Sequence, residues 1–183
     1  MRHGLAACNI TALALLWLSV CAGPVLADQS ASYDSKRIAS MEVGIFCRGE
    51  VGASQSAESG TIKGTVERLD GNPPLVKKTR TVPAIDQITF GVEAREAVEN
   101  GVVTITVTHP PLGAGRVTSE QWETQMETGR TTVHSYYLGL SDGNPVGRWT
   151  IVGSVGSRTL FRADFDVVPR KGAKDPCRNR VTS

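Results

Sequence analysis

From residue 38 onward the chain alternates apolar and polar positions in short runs separated by Gly, Pro, Asn and Asp. The clearest run is Asp86 to Ala94, where Ile88, Phe90 and Val92 face one way and Thr89, Gly91 and Glu93 the other, as in a half-buried strand. Val102 to Thr108 repeats the pattern with Val103, Ile105 and Val107, and Asn100-Gly101 between the two runs is a hairpin signal. That predicts that these two strands pair. Arg148 to Val155, a turn at Gly156-Ser157, and Arg158 to Val168 with Leu160, Phe161, Phe165 and Val167 predict a closing hairpin.

Weaker alternation predicts strands over Ile38 to Phe46, Thr61 to Leu69 and Thr131 to Leu138. Arg116 to Met126 fits a helix or a strand, because Trp122 and Met126 share a face in either, and a strand is preferred. Glu50 to Gly60, rich in Ser, Gly and Ala, reads as a loop, and Ser141 to Gly147 as a turn-rich connection. The prolines of His109-Pro110-Pro111 are expected to end their strand, since neither can donate to a ladder. Many short strands without a long helix predict an all-β antiparallel sandwich. Its expected core is Ile45, Ile88, Phe90, Val92, Val103, Ile105, Val107, Trp149, Ile151, Leu160, Phe165 and Val167.

The first 27 residues have a different character. A basic start at Arg2, an apolar stretch from Ile10 to Val20, a break at Gly23-Pro24, and Val25 and Ala27 before a cut site are the parts of a cleavable export signal. The apolar run is too short for a membrane anchor, and Val20 stands where lipoprotein processing at Cys21 would want a smaller residue. The expected divisions are therefore a signal helix over 1–27, a flexible leader over 28–37, the sandwich over 38–169 and a basic tail over 170–183. The product is expected in the periplasm or outside the cell, with no membrane span after cleavage. Removing 27 of 183 residues leaves 156, enough for one domain with its own core.

Arg2 is the only charged residue removed, so 19 Lys and Arg face 18 Asp and Glu in the mature chain. A balance this even argues against nucleic acid or an anionic membrane as the main partner. Cys8 and Cys21 leave with the signal, and Cys47 and Cys177 remain to form a disulfide in an oxidising compartment.

Taken in order, Phe90-Gly91-Val92-Glu93, the His109-Pro110-Pro111 segment and Gly147-Arg148-Trp149-Thr150 with Phe165 resemble a bacterial family, domain of unknown function 3859. Gly44, Ile45 and Phe46 stand where that family opens its domain, and the likeness runs from Val43 to Val168. The resemblance implies an immunoglobulin-like sandwich without an assigned substrate, cofactor or catalytic residue.

Several groups have the residue types of a site. Gly139-Leu140-Ser141-Asp142-Gly143 has the spacing of a nucleophile elbow, with His134 nearby as a base, but Asn144-Pro145 follows where the elbow needs a helix. His109 and His134 are too few and too far apart for a zinc site; His109 is expected to cap a strand end and His134 to lie on a strand surface. Glu120, Glu123 and Glu127 beside Trp122 could serve glycoside chemistry, although acidic residues among Thr and Gln more simply form a solvated face. Trp122, Tyr136 and Tyr137 are the binding candidates, forming one patch if their strands are neighbours. The cations around Cys177, namely Arg170, Lys171, Lys174, Arg178 and Arg180, suit an anionic polymer or an ordinary solvated tail. Expected overall is a non-catalytic envelope binding or assembly module with a protein partner and no metal or cofactor. A small hydrolase or a carbohydrate-binding module is the alternative.

Overall fold

In a computed structural model of the chain, residues 31–47, 51–56, 60–69 and 71–178 are described. Residues 1–27, expected to be an export signal, and the last five residues, with Arg180 of the expected basic tail, lie outside them. The strands are β1 (Ala31–Tyr33), β2 (Ile38–Phe46), β3 (Val51–Ser56), β4 (Thr65–Leu69), β5 (Leu75–Lys78), β6 (Thr81–Pro83), β7 (Thr89–Glu96), β8 (Val102–Leu112), β9 (Val117–Gln125), β10 (Thr131–Tyr137), β11 (Gly147–Val155) and β12 (Arg158–Val168). Leu140–Asp142 forms a single 3-10 turn between β10 and β11. No helix among the described residues is long and apolar enough to cross a membrane.

Two sheets face one another as an antiparallel β-sandwich. One runs β1-β12-β11-β8-β9, with β6 also on β12, and the other runs β10-β7-β2-β5. All pairings are antiparallel except the short one between β6 and β12. β3 and β4 form a separate hairpin. Every residue of the expected core is buried. At the centre, Phe90 meets Trp149 edge-on with ring centroids 5.5 Å apart and Phe165 at 5.1 Å, an arrangement that aromatic quadrupoles favour. Trp149 is fully buried, and its indole N–H donates to the Pro145 carbonyl at 2.8 Å. The closing hairpin of β11 and β12 forms as expected, with a register shift at Gly153. A Cβ there would sit 2.3 Å from the Phe161 ring, so the ring can occupy that place only over a glycine.

Several expectations are corrected. β7 and β8 do not pair; β7 lies between β10 and β2, and β8 between β11 and β9 in the other sheet. Each carries its own apolar face, and the two faces bury by opposing each other across the sandwich. The Asn100-Gly101 turn is thus a crossing between sheets. Asn100, buried, accepts from Arg37 at 3.0 Å and donates to Glu96 at 2.7 Å, which fixes the crossing in place.

The leader is partly structured, because Ala31–Tyr33 pairs with Phe161–Ala163 of β12. Val51–Ser56, read as loop, is a strand paired with β4. His109-Pro110-Pro111 does not end β8, which continues to Leu112; the register against β9 shifts between Thr108 and Leu112, so the missing N–H groups fall where the ladder is already broken. The tail is fastened at Cys177 to Cys47, 130 residues away, with Cα atoms 5.3 Å apart.

Candidate functional site

β9 and β10 are edge strands of opposite sheets, and together they form one flank of the sandwich. Alternation decides what each sends inward. On β10, Tyr136 pairs with Phe90 and His134 with Val92, both core residues, so these two side chains face in and Ser135 and Tyr137 face out. On β9, Glu120 is opposite Val107 and Trp122 opposite Ile105, so both face in. His109 continues the inward series Val103, Ile105, Val107 of β8 and is 4% exposed.

These rules bring three polar side chains together under the flank. The Glu120 carboxylate, 4% exposed, accepts from the Tyr136 hydroxyl at 2.7 Å on Oε1 and from the Ile62 amide at 2.8 Å on Oε2. His109 Nε2 lies 3.2 Å from the same Oε1, an ion-pair distance without hydrogen-bond alignment, and its Nδ1 lies 2.7 Å from the Pro110 carbonyl. The imidazole stacks on Trp149 at 4.7 Å, and Trp149 also touches Tyr136 at 4.8 Å.

Burial alone would raise the Glu120 carboxyl. The interactions with His109, Tyr136 and Ile62 outweigh it and hold the group below its ordinary value, so it stays ionised. Burial first, and then the Glu120 charge, push the Tyr136 hydroxyl far above its ordinary range. Tyr136 therefore serves as a donor and has no proton to give up near neutral pH.

The Ile62 amide belongs to residues 60–63, which connect β3 to β4 and lie along the β9 edge. Gln121 N–H donates to the Gly60 carbonyl at 2.8 Å. A Cβ on Gly60 would meet the Gln121 carbonyl at 2.1 Å, so this close approach of two main chains requires glycine. Ile62 packs against the core and Lys63 reaches across, 3.8 Å from the Asp142 carboxylate and 5.5 Å from the centroid of the Tyr137 ring.

Between this connection and β10 is a cleft of about 130 Å³, whose walls include Trp122, Tyr136 and Tyr137. The three aromatic candidates thus share one cleft although their strands are not paired. Tyr136 contributes mainly from below, tied to Glu120. A more polar groove continues from Trp122 and Ser135 along Thr132–His134.

The other candidates separate. Glu120 turns inward while Glu123 and Glu127 are exposed, and Glu127 pairs with Arg130 at 2.6 Å. Ser141 is exposed in the 3-10 turn, whereas His134 is buried and stacked on Phe161 at 5.4 Å. His134 is therefore a core residue, not the surface residue expected, and desolvation pushes it down to about 4. His109 likewise belongs to the buried network and does not merely cap a strand end. The Glu120 network was not anticipated. Its signal was present in the sequence: His109 extends an inward odd-numbered series, and Glu120 is two residues from Trp122, hence on the same face.

No curated protein matches the chain significantly. Among solved structures it is similar to an immunoglobulin-like protein from Pseudomonas aeruginosa determined at 1.50 Å, with 19% identity over 78% of this chain and 99% of that one and a TM-score of 0.49. The model of the family described as domain of unknown function (DUF3859) matches residues 34–167, and the chain belongs to that family.

Proposed function

We propose that the chain is an exported, non-catalytic binding module of the cell envelope, and that it takes its ligand into the cleft between β9 and β10. The observation that carries this is the convergence of Trp122, Tyr136 and Tyr137 on one cleft at the flank where two edge strands lie side by side. Aromatic walls supply most of the affinity of small binding sites, and a few polar groups fix orientation. Against a hydrolase, the Glu120 carboxylate is already engaged by three neighbours, and the elbow serine is exposed while its suggested base is buried.

A photo-crosslinking amino acid at Tyr137, compared with one at Lys77 on the far edge strand β5, tests the reading in native envelopes. Capture of a discrete species from position 137, absent from position 77 and lost in Trp122→Ala, is expected. Equal capture at both positions, or capture that ignores Trp122→Ala, would overturn it. A serine-reactive fluorophosphonate probe should leave Ser141 unlabelled.

A further inference from the structure

We infer that the open edge of β10 is a strand-addition site, where the cleft and its groove receive an extended segment of a partner protein that carries a lysine or arginine. The inference rests on the cleft being the binding site, as just proposed, and names the class of what enters it.

The shape of the cavity comes first. Ser135, Tyr136 and Tyr137 line the cleft, and Thr132 to Ser135 line the groove of about 500 Å³ that continues it. Consecutive side chains of a strand point to opposite faces, so a cavity lined by consecutive residues runs along the strand's edge and not over one face. Val66 of β4 and Trp122 of β9 line both parts and form the opposite wall.

The main chain decides what such a trough can take. Leu138, directly after β10, donates its N–H to the Ile88 carbonyl and accepts from the Gln87 amide. Period two then turns the main-chain groups of Thr132, His134 and Tyr136 toward β7, and those of Thr131, Val133 and Ser135 toward the groove. The Thr131 carbonyl accepts from the Asn72 side-chain amide on that open side. Val133 and Ser135 line the groove, are half-buried, and have no main-chain partner on that side among the described residues. Their N–H and C=O groups, at strand spacing, are what another extended main chain recognises.

The remaining edges of the two sheets are guarded. β1 and β6 are three residues long, β5 carries Lys77 and Lys78, and β9 carries Glu123 and gives its Gln121 amide to Gly60. β10 has no charged residue, no proline and no register shift. A second copy of the chain would have to bring its own β10 out of an equally walled trough, whereas a single segment fits between the walls. Glu123 is the one carboxylate lining the groove; it is exposed and has no ion-pair partner among the described residues, so it favours a basic residue on the segment.

The test is titration of the ¹⁵N-labelled chain with capped seven-residue peptides that alternate Thr with Val, Leu or Tyr and carry one Lys. Saturable shifts at Val133 and Ser135 are expected with at least one peptide, and exchange of these two amides with solvent should slow at least tenfold. The same peptide with its main-chain amides N-methylated should bind at least tenfold more weakly. Val133→Pro removes an N–H that serves no bond to β7, and should weaken binding as much. Glu123→Gln should weaken it about threefold, the size of an exposed ion pair.

Shifts without slowed exchange at Val133 and Ser135, or undiminished binding of the N-methylated peptide, would overturn strand addition. Slowed exchange at these residues that grows with protein concentration and needs no peptide would give the edge to a second copy and overturn the assigned partner. If no peptide binds, strand addition falls while capture from position 137 still upholds the cleft; if the crosslinker there is also silent, the broader reading falls with it.

Discussion

The two flanks of the sandwich are closed by different means. On the flank formed by β1, β6 and β5, the Cys47–Cys177 bond lies at the end of β2, and short strands complete the edge of β12. Exposed Lys77 and Lys78 mark the β5 edge, a usual defence of a strand against unwanted pairing. On the flank formed by β9 and β10, one buried carboxylate ties β8, β10 and the β3–β4 connection together. The first closure is covalent and needs no particular protonation state. The second consists of hydrogen bonds and charge around Glu120, with a cleft left beside it. A flank held this way keeps polar groups poised near a cavity, which a covalent or purely apolar closure would not.

The largest expected effect belongs to the covalent flank. Replacing Cys47 and Cys177 with Ala should lower unfolding free energy by about 5 kcal/mol on the chain-entropy model, and native amide signals around Glu120 should stay in place. Denaturant melts with native-state NMR check both; movement at Glu120 would show that the flanks are coupled.

Glu120→Ala should cost about 3 kcal/mol, because it strands the Tyr136 hydroxyl, the Ile62 amide and His109 in a buried site. It should also shift the amides of residues 60–63. A loss below about 1 kcal/mol would mean that packing, not the carboxylate, holds the connection.

Acid should act first at His134. Its folded value is pushed down to about 4 from an ordinary 6.5, so the unfolded chain takes up the proton before the folded one does. Stability from this group is complete above pH 6.5 and falls below it by about 1.4 kcal/mol per unit, reaching about 2 kcal/mol at pH 5 and levelling off below the folded value. His134→Phe should flatten that part of a stability–pH profile. Glu120 acts later: its lowered folded value means that its contribution is present above 4.5 and is lost as pH falls through the folded value.

The smallest effect is expected at the Lys78–Glu42 pair, 2.7 Å apart with both side chains well exposed. Lys78→Ala should change stability by less than about 0.5 kcal/mol in denaturant melts. A larger loss would show that charge, too, helps to hold the covalent flank.

The core was legible because period-two alternation is a local property, and the strongest runs, from Ile88 to Val92 and from Leu160 to Val167, bury the face they marked. Partner choice was not legible. Asn100-Gly101 has the chemistry of a tight hairpin, yet five residues between β7 and β8 suffice to cross the sandwich, and which outcome prevails depends on faces contributed by β2, β10 and β11. Val51–Ser56 contains Gly, Ala, Ser and Gln, so its composition does not mark a strand; its pairing with β4 makes it one. At the candidate site, the aromatic residues were visible one by one. The Glu120 network was hidden because Thr, Glu and Gln neighbours suggested a wet surface, while the residue that decides the matter, His109, comes from another strand and was set aside with its two prolines.

The disulfide also has a mechanical meaning. Residues 47 to 177 form a closed covalent ring that includes β3 through β12, and thus both walls of the cleft. Tension applied between the two ends of the chain would run from Cys47 directly to Cys177 and bypass everything inside the ring. Of the described strands, only β1 and β2 lie in the path of the load, so a tethered molecule could be pulled without its cleft being drawn open. Force spectroscopy should therefore record a much shorter extension under oxidising conditions than after reduction.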